Sequence, residues 1–215
     1  MPLVVALCLR LAVVPPRIEL DVAPLIGDEG NYVGIAETIA QGAGIPDRWV
    51  WLRPPGYPLF LAGLLHLFGR DLHAPIVLQA VAGVLVVATV AAIAGQLWGR
   101  RAAIVAAWMT ALNPSLIYYT RILHTESLYL ACAMIAVLAL VWYTRAAAIA
   151  RPLAVAAVFV GSAALLRPAI VAPLPLLLLW LIVRRPRGEW WMAARHAVLF
   201  VALFVALFVA MITPT

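Results

Sequence analysis

Long apolar runs constrain this chain more than any other feature of its sequence. Hydrophobic residues make up 66% of the chain and charged residues only 11%, a balance far from that of a soluble domain. Inside a bilayer only helices and closed barrels satisfy every backbone hydrogen bond. Because the runs are continuous rather than alternating, they indicate helices. We therefore expect an all-α integral membrane protein, a polytopic helical bundle.

A helix that crosses a membrane needs about twenty apolar residues. The predicted spans lie near 1–14, 75–98, 102–119, 127–143, 152–166, 169–183 and 197–212. The first run is short, contains Arg10 and lacks the charged leading region and cleavage site of a signal peptide, so we expect part of the first span to precede it. The sequence thus predicts one transmembrane domain, 1–215, with about seven spans.

A further apolar segment, 55–68, decides the sidedness of the later spans. If it does not cross, the loops 99–101, 145–151 and 184–195 share one side and hold eight of the fifteen arginines, while the other side holds eight of the nine acids. The positive-inside rule makes the arginine-rich side cytoplasmic. We therefore predict an outer loop over 15–74 with interfacial helices at 28–41 and 55–68. The protein would be a multi-pass protein of the inner (plasma) membrane whose polar cluster faces the outside or periplasm.

Several functional classes receive no support from the sequence. The net charge of +6 does not indicate a nucleic-acid partner in so apolar a chain. Cys8 and Cys132 lie in apolar runs without a neighbouring metal-ligand pattern, so we expect packing rather than a disulfide or a metal site. The chain contains no nucleotide-binding glycine loop, serine nucleophile or zinc motif. An activated donor at an outer site would therefore be carried by a lipid.

The acidic residues gather in the predicted outer loop, where six of the nine lie between positions 19 and 47. Apolar residues recur at helical spacing after Asp28, and Gly42 and Gly44 supply a stop. This pattern predicts a short amphipathic helix in the interface. Asp28 is then either a helix cap or a catalytic carboxylate, with Glu29 beside it.

Aromatic and basic residues at the same level each have two interpretations. The aromatic residues form an interfacial belt or stack on a substrate; they are Trp49, Trp51, Tyr57, Tyr118 and Tyr119. Arg17, Arg48 and Arg70 are expected to be solvated or bound to lipid phosphates. Arg53, Arg121 and Arg167 lie at helix ends, where three guanidinium groups on one face would bind an anion such as a lipid phosphate.

Glu126 begins a predicted span just after His124. In the simpler interpretation, Thr125 or Ser127 caps this helix and Glu126 lies in its first turn, where the helix dipole favours an anion. His124 is then an interfacial histidine, and a role as a metal ligand is the alternative.

Five segments together resemble a known family. They are the DE pair with a tyrosine four residues after the aspartate, the pattern xxIAxxIxxGxG, RPPGYPLFLA, NPxxIYYTRxLHTESLY and GSAALLRPA. In this order they resemble the polyprenyl-phosphate-sugar glycosyltransferases of the GT-C fold, particularly bacterial members related to protein O-mannosyltransferases and lipid A aminoarabinose transferases. The final ITPT resembles the start of the family's ITPW-arginine-asparagine segment, without the tryptophan. The resemblance covers essentially the whole chain.

The resemblance implies a GT-C-like bundle and an inverting transfer of a hexosyl or pentosyl group from a polyprenyl-phosphate donor in the membrane. The acceptor would be a hydroxyl of a glycan, lipid or protein. An essential acidic residue is implied at Asp28, a positively charged residue that faces the phosphate at Arg53, and a second acidic residue at Glu126. The other candidate substrate-binding residues are Glu29, Tyr32, Tyr57, Arg121, His124 and Arg167. Glu126 and Glu29 would orient the acceptor or hold a divalent cation, Mg²⁺ or Mn²⁺.

Members of this family are usually more than twice as long as this chain. The competing hypothesis is therefore a non-catalytic lipid-binding or scaffold membrane subunit that retains the N-terminal half of the fold. A secondary transporter is less favoured, because no predicted span carries an acid at mid-membrane.

Overall fold

The computed structural model describes residues 1–15, 25, 27–44, 53–145, 150–183 and 190–212. All regular secondary-structure elements of these residues are helices, which confirms the predicted all-α class. The chain divides into two compact units, Met1–Ala131 and Cys132–Thr215, and each is described by itself. The predictions for Arg17, Arg48, Trp49, Trp51 and 213–215 lie outside the described residues.

The first unit contains six helices among its described residues, followed by the start of a seventh. They are α1 (Pro2–Ala12), α2 (Asp28–Ala40), α3 (Gly56–Phe68), α4 (His73–Trp98), α5 (Arg100–Ala111), α6 (Pro114–Arg121) and α7 (Glu126–Arg145). The long helix α4 packs against α1, α3, α5 and α6, and α2 packs against α3. Helices α2 and α3 occupy the two segments predicted as interfacial helices.

The second unit continues from α7 into α8 (Ala150–Leu166), a short 3-10 helix (Pro168–Val171), α9 (Leu174–Val183) and α10 (Trp190–Ile212). Its core combines large side chains such as Tyr143 and Phe200 with a set of alanines. These alanines are Ala136, Ala139, Ala156 and Ala157. Small residues let membrane helices approach closely, so packing rather than hydrophobic burial holds them together.

Two helices of the described chain, α4 and α7, are long and apolar enough to cross a membrane. The pair α5 and α6 would make a third span if the two helices together are one crossing. Helices α1 and α3 are apolar but shorter. The count of about seven spans and the single transmembrane domain stay predictions.

The predicted span 102–119 is interrupted, because α5 ends at Ala111 and α6 begins at Pro114 with its axis turned by 49°. Proline has no N–H and disfavours helical geometry in the residue before it. Asn113 is accordingly extended, and its side-chain oxygen accepts hydrogen bonds from the backbone N–H groups of Ser115 (3.0 Å) and Leu116 (3.2 Å). The sequence Asn-Pro therefore ends one helix and caps the next.

Helix α1 is held to the bundle along one face. Ala6 packs with Val87, Ala107 and Ala111, and one turn later Arg10 is completely buried. Cys8 lies on another face of the helix and is exposed, so the expected packing of this thiol is wrong. Cys132 is partly buried, and both cysteines are free.

Gln79 connects the helices that carry the candidate site. Its side-chain oxygen accepts a hydrogen bond from the Tyr57 hydroxyl (2.6 Å). Its side-chain nitrogen donates to the carbonyls of Thr120 (3.2 Å) and Ile122 (2.8 Å) at the end of α6. A single buried amide on α4 thus fixes α3 and the link between α6 and α7.

Replacing Gly83 on α4 tests the close approach of α1. An added Cβ would lie 2.8 Å from Cδ of the buried Arg10, so Gly83→Ala should destabilise the protein by about 1–3 kcal/mol through overpacking. The matched control is Gly63→Ala in α3, where no atom lies within 4 Å and alanine should stabilise the helix by about 0.5–1 kcal/mol. Thermal unfolding in detergent micelles measures both, and equal shifts for the two variants would contradict the packing described.

Replacing Tyr57 tests the Gln79 network. Tyr57→Phe removes the donor to a buried amide oxygen, so it should destabilise the protein by about 1–3 kcal/mol. The control is Tyr118→Phe, because the Tyr118 side chain is 54% exposed and its loss of a hydroxyl should change the free energy of unfolding by less than about 0.5 kcal/mol. Thermal unfolding compares the two variants; a Tyr57→Phe variant as stable as the control would show that the hydrogen bond to Gln79 contributes nothing.

Candidate functional site

The first residue of α2, Asp28, forms an ion pair with Arg53, which lies three residues before α3. Arg53 Nη1 donates to Asp28 Oδ2 at 3.1 Å, and Nη2 contacts Oδ1. The N-cap residue of α2 is Gly27, whose φ of 63° suits glycine. The interpretation of Asp28 as a cap is therefore wrong, because its carboxylate is turned to the guanidinium instead of the free N–H groups of the helix.

Arg53 retains an unused hydrogen-bond donor. Its Nε is buried and has no acceptor among the described residues. The guanidinium carbon lies 5.5 Å from the centre of the Tyr32 ring, within the range of a cation-π contact. The two nitrogens that hold Asp28 and the ring of Tyr32 thus fix the orientation of the guanidinium, while one N–H is available to a further acceptor.

Tyr32 lies at the centre of an aromatic cluster. Its ring centre is 5.0 Å from that of Tyr57 and 6.0 Å from that of His124, both in edge-to-face arrangements. Tyr57 is fully buried, so its assignment to an interfacial belt is wrong. Burial raises the pKa of the Tyr57 hydroxyl well above its usual range, and the charges of Glu29, Tyr32 and Glu126 add to the shift. The hydroxyl therefore acts as a neutral donor to Gln79.

Residues of the link between α6 and α7 contact the other two acidic side chains of the site, Glu29 and Glu126. Leu123 donates its backbone N–H to Glu29 Oε1 at 2.8 Å, across 94 residues of sequence. His124 Nδ1 lies 2.9 Å from Glu126 Oε2. Glu126 opens α7, as predicted. Glu29 and Glu126 are thus both held by residues of the short segment between α6 and α7, to which Gln79 also binds.

The contacts described above do not include Arg121, and Arg167 belongs to the second unit. Arg121 is exposed at the last residue of α6. Arg167 precedes the 3-10 helix of the second unit. The structure therefore brings seven of the nine predicted residues into connected contacts, and the convergence of three arginines on one anion stays a prediction.

A metal centre finds no geometric support in the residues that the structure describes, since no three His, Cys, Asp or Glu side chains there are grouped to hold an ion. The chemistry available from the contacts is that of a carboxylate beside an arginine. The carboxylate can accept a proton, and the arginine can bind an oxyanion through N–H groups that match phosphate geometry.

Sequence reasoning missed Gln79 and Arg10. The signal for both is a polar side chain within an apolar helix, because such a group is costly in a membrane unless it has a specific role. The contact of Glu29 had no sequence signal, since its partner is a backbone N–H.

Comparison with known families gives one match. Residues 52–213 match the family described as dolichyl-phosphate-mannose-protein mannosyltransferase. The match includes Arg53, Tyr57 and Glu126, whereas Asp28 and Glu29 precede it. Comparisons with curated proteins and with solved structures found no significant match.

The match covers more than half of the 215 residues. It agrees with the all-α architecture and with the apolar helices of the described chain. The chain therefore belongs to the dolichyl-phosphate-mannose-protein mannosyltransferase family, a family of membrane glycosyltransferases, and has a GT-C-like fold.

Proposed function

We propose that this protein transfers a sugar from a polyprenyl-phosphate donor to an acceptor hydroxyl at the outer face of the inner membrane, with inversion at the anomeric carbon. The observation that carries the proposal is the pair formed by Asp28 and Arg53, in which the arginine keeps a buried, unused N–H. A proton acceptor and a phosphate ligand are the two groups that such a displacement requires.

In the proposed reaction the acceptor oxygen attacks the anomeric carbon as the bond between that carbon and the phosphate oxygen breaks. Asp28 accepts the proton of the attacking hydroxyl, because a carboxylate within hydrogen-bond reach can act as a general base. The lipid phosphate leaves as an anion with the electron pair of the broken bond. Arg53 stabilises the charge that develops on it. A single displacement of this kind inverts the configuration.

Glu29 and Glu126 have a supporting role in this proposal. Their contacts with Leu123 and His124 hold two further carboxylates near the aromatic cluster, where they would orient the acceptor through its hydroxyl groups. Tyr32 and His124 would form the wall of the sugar site, and the buried Tyr57 would support the Tyr32 ring from behind. A divalent cation at Glu29 and Glu126 stays a prediction.

The first test is the release of free polyprenyl phosphate from a polyprenyl-phosphate hexose by the purified protein. Asp28→Asn should lower this release by at least about 100-fold, since the amide cannot accept the proton. The control is Glu37→Gln on the same helix, where Glu37 pairs with Arg70 at 2.8 Å. This control should release lipid phosphate at the wild-type rate.

Two results would overturn the proposal. Normal release by Asp28→Asn would remove Asp28 from the reaction. Binding of the donor by the wild-type protein without any release or transfer would instead favour a lipid-binding subunit.

The second test concerns the leaving group. Arg53→Gln should lower the turnover number by about 100- to 1,000-fold, because it removes preorganised donors from the developing charge. Arg70→Gln is the matched control, since Arg70 pairs with Glu37 outside the cluster. Steady-state kinetics with a saturating donor compares the turnover numbers of the two variants. Equal losses in both variants would indicate a general electrostatic effect of arginine removal.

A further inference from the structure

Arg10 is a buried cation without a role in the reaction proposed above. It lies in the last turn of α1 and is 0% exposed. One terminal nitrogen, Nη1, donates to the carbonyls of Ala6 (3.2 Å) and Ala111 (3.4 Å). The other terminal nitrogen, Nη2, and Nε are buried without an acceptor among the described residues. A guanidinium in an apolar bundle with two unused donor groups is costly.

These nitrogens belong to a side chain that lines a small, partly open cavity of about 10 Å³. The polar residues that share the lining are Tyr119, Glu126 and Ser127. Glu126 is the only acidic residue in this lining. A volume of this size accommodates about one water molecule when polar partners surround it.

The cavity is shaped by residues from four helices. Gly83 and Val86 of α4 form one wall, and the absence of a side chain at Gly83 provides the space in which the Arg10 side chain lies. The cavity meets α7 at Glu126, whose other side contacts His124. Glu126 therefore lines the Arg10 cavity, and its carboxylate contacts His124 of the aromatic cluster.

We propose that Arg10 is a positioning residue for Glu126, acting through one water that accepts a hydrogen bond from the guanidinium and donates one to the carboxylate. This inference rests on the proposed transferase function and adds a group that no substrate touches. The bridge gives the buried guanidinium an anionic counterpart in the partly buried Glu126 and keeps the carboxylate at the position that His124 also fixes. Loss of Arg10 removes one of the restraints on the carboxylate.

The physical link is tested without catalysis, by thermal unfolding of Arg10→Met, Glu126→Gln and the double variant in detergent micelles. Arg10→Met removes the proposed cationic partner of Glu126, and Glu126→Gln removes the proposed anionic partner of the buried guanidinium, whereas the double change removes both charges. The melting temperature of the double variant should therefore be at least as high as that of either single variant. Additive losses would overturn the link. Arg10→Lys, which retains the charge, should restore most of the loss and covers the case in which Arg10→Met does not fold.

The positioning role is tested by the same cycle in lipid-phosphate release. Arg10→Met should lower turnover on the order of ten-fold in the wild-type background and should cause no further loss in Glu126→Gln, since coupled residues are not additive. The control is Arg101→Met, which removes an exposed arginine and should be additive with Glu126→Gln.

The two measurements separate the possible failures. Additive melting temperatures in a protein that turns over would refute the Arg10 proposal and leave the transferase function intact. Coupled melting temperatures without any wild-type turnover would refute the transferase function, and with it the role of Arg10 in transfer. Coupled melting temperatures with full activity in Arg10→Met would show that the bridge is structural only and would overturn the positioning role.

Discussion

The amide of Gln79 is the interaction on which the candidate site depends. It is buried in an apolar helix of 26 residues, and it uses both its oxygen and its nitrogen. The carbonyls of Thr120 and Ile122 lie where α6 ends, and the Ile122 carbonyl also accepts a hydrogen bond from the His124 N–H (2.9 Å). Irregular backbone in a membrane protein is stable only when other protein groups satisfy it. Gln79 thus contributes hydrogen bonds to the break between α6 and α7 and ties it to α4.

The acidic pair at the start of α2 uses this fixed segment. Successive residues of a helix point about 100° apart, so Asp28 and Glu29 cannot face the same partner. Asp28 faces Arg53, and Glu29 faces the N–H of Leu123. The next residue, His124, contacts Glu126 and the ring of Tyr32. Adjacent acids therefore have separate roles: one pairs with the arginine, and the other docks α2 onto the link between α6 and α7.

The sequence was sufficient for the helical class and for the positions of α2, α4 and α7, because apolar length and periodicity depend on local residues. It also identified Asp28, Arg53, His124 and Glu126, since ionisable groups are conspicuous in an apolar chain. It was not sufficient for Tyr57, which resembles a belt residue until its burial against Gln79 is known. The partner of Glu29 is a backbone group 94 residues away, and no side-chain pattern encodes such a contact. Arg10 stands out in the sequence as a charge in an apolar run, but its burial depends on the space that Gly83 leaves on α4.

The Asp28 and Arg53 pair links the two halves of the proposed reaction. The Asp28 carboxylate is 40% exposed and the Arg53 side chain 22% exposed, so solvent screens part of the attraction between them. The buried Nε of Arg53 has no acceptor in the described chain, whereas a phosphate group offers several oxygens to the same guanidinium. In the proposed reaction a lipid phosphate would compete with Asp28 for the same guanidinium. Donor binding would release the carboxylate at the moment when an acceptor hydroxyl needs it, so the donor would bind before the acceptor.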